Sequence, residues 1–155
     1  MVQVEEIKLK PIGFVSSPVT QRMDENWGEI TCRIVLKPEF AGSLLGLEGF
    51  SHVIIVTYLH EAHYDKGKHL QRRPRNLETM PKVGILSQRA KNRPNPIGIT
   101  AVKIIDVGND SIEVKGLDAI NETPILDIKP YYPHYDRIDD AQIPEWVDRL
   151  MKNYF

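Results

Sequence analysis

Apolar and polar residues alternate with a period of two along several stretches, which is the pattern of strands with one buried face. Ile7 to Val15 alternates in this way and is ended by Ser16-Ser17-Pro18. Glu29 to Leu36 alternates again. Ser51 to Leu59 is a nearly continuous apolar run between turn residues, which predicts a central strand buried on both faces. Val83 to Ser87 reads as a short strand, and Ile97 to Val107 as a long one interrupted by Gly98. Gly108-Asn109-Asp110 then turns the chain into Ser111 to Leu117, a hairpin, and Ile125 to Ile128 is a last short strand. Two stretches read as helix. Pro38 to Leu45 has proline in its first turn and Gly46 as its stop. Pro144 to Tyr154 carries Trp146, Val147, Leu150 and Met151 on one stripe. The predicted fold is mainly β: a single compact antiparallel β-barrel-like domain over residues 1–155, with short helices that include a C-terminal helix at about 144–154.

Between these elements, His60 to Pro81 breaks the pattern. It is polar, basic, without a period, and predicts a long functional loop. This loop changes the meaning of the net charge of -1. Lys66 to Arg93 holds nine Lys and Arg against one acid, Glu78, while the rest of the chain holds 11 bases and 20 acids. A basic segment on an acidic body predicts a local, salt-sensitive polyanion contact rather than indiscriminate coating. The single cysteine, Cys32, excludes an internal disulfide and fits a reducing compartment. No apolar run approaches the ~20 residues of a membrane span, and the first residues lack the apolar core of a secretory signal. The expectation is a soluble cytoplasmic domain.

Candidate chemistry narrows further. No glycine-rich dinucleotide fingerprint or phosphate loop is present. His60 and His63 lie three apart after the central strand, but no second ligand cluster accompanies them, so no metal site is expected. Gln71-Arg72-Arg73-Pro74-Arg75 is a dense basic cluster. In Arg89 to Gly98, Pro94 and Pro96 stiffen a loop that presents Arg89, Arg93 and Asn95. Such a loop serves either a polyanionic ligand or a rigid structural corner. Asp127 and Lys129, two apart on a strand, share a face opposite that of Leu126 and Ile128. They form either a surface ion pair or a ligand site.

Pro11-Ile12-Gly13 with Ser16-Ser17-Pro18, the Gly46–His52 string, Arg93-Pro94-Asn95-Pro96-Ile97-Gly98, Gly116-Leu117-Asp118, and Thr123-Pro124 running on through Leu126-Asp127-Ile128-Lys129-Pro130-Tyr131 together resemble the TsaA-like, or TrmO, family. The resemblance covers about residues 10–132. It implies an S-adenosylmethionine-dependent methyltransferase that acts on N6 of threonylcarbamoyladenosine at position 37 of tRNA, beside the anticodon. It implies a homodimer with the cofactor near the subunit interface. Carried over by motif, the cofactor residues become Gln21, Arg22, His63, Tyr64, Arg89, Asn121, Glu122 and Thr123. Asp127 and Tyr131 become catalytic candidates, and Arg72, Arg73, Arg75, Arg93, Asn95 and Lys129 become RNA-facing ones. The chain departs from the family where many members read Asp-Gly-Thr-Pro and it reads Asn121-Glu122-Thr123-Pro124. Two other readings compete: a methyltransferase for a different small acceptor, and a barrel that binds an anionic ligand or RNA without chemistry.

Overall fold

A computed structural model of the protein describes residues 3–155. Eight strands occur in them: β1 (Gly13–Ser16), β2 (Thr31–Leu36), β3 (His52–Tyr58), β4 (Gln71–Arg72), β5 (Val83–Gly84), β6 (Ile97–Val107), β7 (Ser111–Lys115) and β8 (Pro124–Pro130). Six of them form one antiparallel sheet in the order β1-β2-β7-β6-β3-β8, which closes into a barrel through a short β1–β8 pairing. β4 and β5 form a separate two-stranded ribbon. The helices are short: α1 (Lys66–His69), α2 (Pro133–Asp136) and α3 (Glu145–Met151). No described helix is long and apolar enough to cross a membrane.

The period-two pattern fills the barrel. Val15, Ile34, Val53, Ile55, Val102, Ile112, Val114 and Ile125 point inward and are almost completely buried. Cys32 lies among them, and burial pushes its thiol up to about 11, so it stays protonated and unreactive. The outer face of β3 is covered only in part: Ile54 and Val56 are half-buried and Tyr58 is exposed. The expectation of a strand buried on both faces is corrected to that extent.

Other expectations change for identifiable reasons. Pairing begins at Ile12, whose N–H donates to Ile125. The alternating residues Ile7 to Lys10 are exposed and pair with no neighbouring strand, and Pro11 brings no N–H to a ladder. In place of a helix from Pro38 to Leu45 there is one 3-10 turn, Pro38–Phe40, followed by further turns, and a second 3-10 turn, Leu47–Gly49, lies just beyond. Gly42 and Gly46 adopt φ of +89° and +91°, outside any right-handed helix. Val83 to Ser87 is a two-residue strand followed by a 3-10 turn, Ile85–Ser87. The basic segment is organised rather than structureless. Asp65 caps α1 by accepting from Gly67 N–H at 2.9 Å, and β4 and the Pro74–Asn76 turn follow.

β8 contains a bulge against β3. Asp127 pairs with Val56 and Ile125 pairs with Thr57, so Leu126 is the extra residue. Paired residues share a face, which puts Leu126 outside with Asp127 and Lys129, while Ile128 packs on the core. The strict alternation expected for Leu126 is corrected by this bulge.

Gly98 sits where β6 crosses β3 closely. A Cβ added there would lie 2.6 Å from Thr57 Oγ1 and 3.3 Å from a Leu59 methyl. Gly98→Ala is therefore expected to cost about 1–3 kcal/mol of stability, measured by urea unfolding.

Candidate functional site

The loops at one rim of the barrel converge, because antiparallel neighbours bring the end of β1, the end of β3 and the start of β8 together. They surround a narrow, partly open crevice of about 30 Å³. The loop after β1 supplies Arg22, Met23 and Trp27. The chain leaving β3 supplies Leu59, His60 and Glu61. The turn before β8 supplies Asp118 to Ile120 and Thr123. Tyr154, just beyond α3, forms the remaining side.

Each wall is held locally. Trp27 is buried, and its indole N–H donates to the Met23 carbonyl at 3.0 Å. Thr123 is buried and donates its hydroxyl to the Ile120 carbonyl at 2.7 Å. Asn121 accepts from Ser17 N–H at 2.9 Å and donates its own N–H to Val19, tying the β8 turn to the loop after β1. Asp118 accepts from the Tyr154 hydroxyl at 2.6 Å and from Thr100 Oγ1 at 2.5 Å.

The crevice is electrostatically mixed. Burial lowers the pKa of Arg22, and nearby Tyr154, Glu61, Asp118 and Asp24 act the other way, so Arg22 remains a cation. Burial and the charge of Arg22 lower Lys91, against Glu61. Burial raises Tyr154 well above its ordinary value, and Asp118 adds to the effect, so the phenol is a donor throughout the physiological range. Arg75 bridges outward: its Nε is 3.6 Å from Asp24, and its guanidinium lies 5.7 Å from the centre of the Tyr154 ring. Arginine, carboxylates and aromatic walls in one crevice suit a ligand that carries an anionic group, a cationic group and a flat ring.

Of the cofactor residues expected from the resemblance, two line the crevice, Arg22 and Thr123. Asn121 shapes the turn beneath it. Glu122 is exposed at φ +68°, in the left-handed region that favours glycine. Gln21 is exposed and does not line the crevice. Leu59, His60 and Glu61 line it rather than His63 and Tyr64; His63 donates its backbone N–H to Asn92 and Tyr64 packs near His69. Arg89 donates to the Ile99 carbonyl at 2.5 Å, away from the crevice.

The other expected residues spread along the barrel. Asp127 lies on the outer face of β8 in an ion pair with Lys129 at 2.8 Å. Tyr131 sits at the opposite rim, beside His52, roughly 25 Å of strand away from Thr123. Much of the basic segment holds itself together. Arg73 donates to the Met80 carbonyl, Arg93 donates to Gln88 and Ala90 at 2.8 and 3.3 Å, and Arg72 donates to Asn76 at 3.3 Å. Asn95 faces a separate apolar groove with Tyr58, Ile97 and Leu126. Among the described residues no group of three or more His, Cys, Asp or Glu could hold a metal ion.

Sequence reasoning missed Trp27, Glu61, Asp118 and Tyr154. Asp118 stood within the quoted Gly-Leu-Asp string and was not read as a site residue. Trp27 is an isolated aromatic in a polar stretch, the one local signal available.

The tRNA-methyltransferase O N-terminal domain family matches residues 18–137. The chain is 35% identical over 137 residues to a protein of Methanothermobacter thermautotrophicus named "Probable S-adenosyl-L-methionine-binding protein", covering 86% of this chain and 96% of that one. It is 40% identical over 112 residues to the human tRNA (adenine(37)-N6)-methyltransferase, covering 72% of this chain and 24% of that one. The crystal structure of TrmO from P. aeruginosa superimposes with a TM-score of 0.75 at 27% identity, covering 94% of this chain and 64% of that one. The chain thus spans just under two thirds of the solved TrmO structure and about a quarter of the human enzyme.

Glu122 holds a positive φ of +68°, a conformation that glycine adopts without steric cost. Glu122→Gly removes left-handed strain of about 1–2 kcal/mol and adds about 0.5–1 kcal/mol of unfolded-state freedom. The variant is expected to be more stable by about 0.5–1 kcal/mol, read from urea midpoints at unchanged slope.

Proposed function

The chain belongs to the tRNA-methyltransferase O family, and we propose that it transfers a methyl group from S-adenosylmethionine to N6 of adenosine 37 in tRNA. The acceptor is the threonylcarbamoylated base. The observation that carries this reading is the rim crevice, which joins Arg22, Glu61 and the Trp27 and Tyr154 rings in the segments where the family resemblance puts the cofactor.

The residues present suit S-adenosylmethionine. Arg22 offers a cation to the amino-acid carboxylate, and Glu61 offers a carboxylate to the ammonium. Trp27, Ile120 and Tyr154 offer apolar and aromatic surface to the adenine. The cofactor supplies an electrophilic methyl group. The chain's own task is to hold donor and acceptor in line, since positioning supplies much of the rate in such a displacement. The N6 proton of the acceptor is adjacent to an acyl group and is more acidic than that of a plain amine, so a weak base suffices. Arg75 and Lys91, at the mouth of the crevice, are the cations best placed to steer RNA toward it.

Asp127 and Tyr131 remain our catalytic candidates, and they call for a second copy of the chain. The outer face of β3, β6 and β8 exposes or half-exposes Ile54, Val56, Tyr58, Ile97, Ile99 and Leu126 around Asp127. A contiguous apolar face of this kind is a site of association. Pairing through it gives a homodimer in which residues remote from their own crevice act at the partner's.

Two measurements test this reading. Labelled cofactor should mark threonylcarbamoylated tRNA and leave tRNA lacking the modification unmarked; label on both, or on neither, refutes the substrate. Light scattering should report a dimer that Ile99→Asp dissociates, with Tm little changed. A wild-type monomer at micromolar concentration would remove the dimer from the proposal.

A further inference from the structure

We propose that Tyr154 is a ligand-contacting wall of the crevice, and that cofactor binding requires the segment Lys152–Phe155 to be docked. The proposal rests on the reading of the crevice as the S-adenosylmethionine site. It concerns residues beyond the 18–137 stretch matched by the family.

The segment is fastened at several points. Asn26 N–H donates to the Asn153 carbonyl at 2.7 Å, and Trp27 N–H donates to the Tyr154 carbonyl at 2.8 Å. These two bonds lock it to the loop that carries Arg22 and Trp27. Asn26 and Asn153 both take left-handed backbone, at φ +64° and +62°, a conformation asparagine tolerates better than most residues. Gly28 leaves the room: a Cβ there would lie 2.6 Å from the Phe155 carbonyl carbon. Phe155 packs edge-on to the Tyr154 ring, with centroids 4.8 Å apart.

Asp118 completes the fastening. Its two oxygens accept from different hydroxyls, Thr100 on β6 and Tyr154 on the segment. The carboxylate is thus committed to joining the barrel to the tail, and it aims the phenol. One side of the Tyr154 ring environment is taken by the Arg75 guanidinium. The ring still contributes surface to the crevice, alongside Arg22 and Ile120. A half-buried ring, fixed in orientation and bordering a crevice of mixed charge, is a preorganised wall for a flat or cationic group. Adenine and the sulfonium both answer that description, and both belong to the same ligand.

The test is calorimetric titration of S-adenosylhomocysteine and S-adenosylmethionine into the full chain and its variants. Wild type is expected to bind both. Tyr154→Phe keeps the ring and should remain within about threefold, while Tyr154→Ala should weaken binding by about tenfold or more. Tyr154→Leu keeps packed apolar bulk without an aromatic face, and it should also weaken binding with little change in Tm. That variant decides the matter if Tyr154→Ala fails to fold. Equal affinity in wild type and Tyr154→Leu overturns the proposal and leaves the cofactor reading intact. Tighter binding by Tyr154→Ala also overturns it, because the ring would then occupy the ligand's place. Absence of binding by wild type sinks the cofactor reading, and this inference with it.

Discussion

Closure of the six-stranded sheet is the constraint on which the rest depends. The join is short: Gly13 and Phe14 of β1 meet Ile125 and Pro124 of β8. A small closed barrel has an interior just large enough for its own side chains, and here branched aliphatic residues fill it. No ligand can be housed inside. Function is therefore displaced to the rims and the outer surface, where the connecting loops and the outward strand residues lie. Gly13 lets β1 approach the β2 backbone at Val35, and Gly98 leaves room on β6 for the Thr57 and Leu59 side chains.

Antiparallel order then decides which segments meet. The loop after β1, the exit of β3 and the turn before β8 share one rim, although they stand tens of residues apart in sequence. Phe50, Tyr132 and Tyr135 share the other rim, where successive rings lie 5.8 and 5.9 Å apart. Chemistry that needs groups from both ends cannot be carried out within one barrel.

The strands were legible because inward residues repeat every second position in β2, β3, β6 and β7. Alternation alone did not reveal that Ile7 to Lys10 lacks a partner, since a strand is a property of two segments. Gly42, with its positive φ, broke a helix whose apolar and capping signals were otherwise sound. At the site, motif spacing located three of the four contributing segments. After β3 the crevice is lined by Glu61, while His63, two residues on, lies outside it. Tyr154 was illegible for a different reason: it follows the end of α3, and its position depends on hydrogen bonds to Asn26 and Trp27 on the far side of the sequence. The basic segment was visible as charge, but charge does not disclose that Arg73 and Arg93 spend their donors on carbonyls of their own loops.

The bulge at Leu126 has a consequence for how this surface can change over time. A regular strand couples its two faces, so that adding or losing one residue turns every side chain beyond it inside out. The bulge absorbs one residue of mismatch between Ile125, anchored in the core, and Ile128, which returns to it. Between those two anchors the outer surface of β8 is decoupled from the packing within. Asp127 and its neighbours can drift in identity, and even in number by one, while the core stays in register. The outer surface of such a barrel can thus diversify without passing through unfolded intermediates.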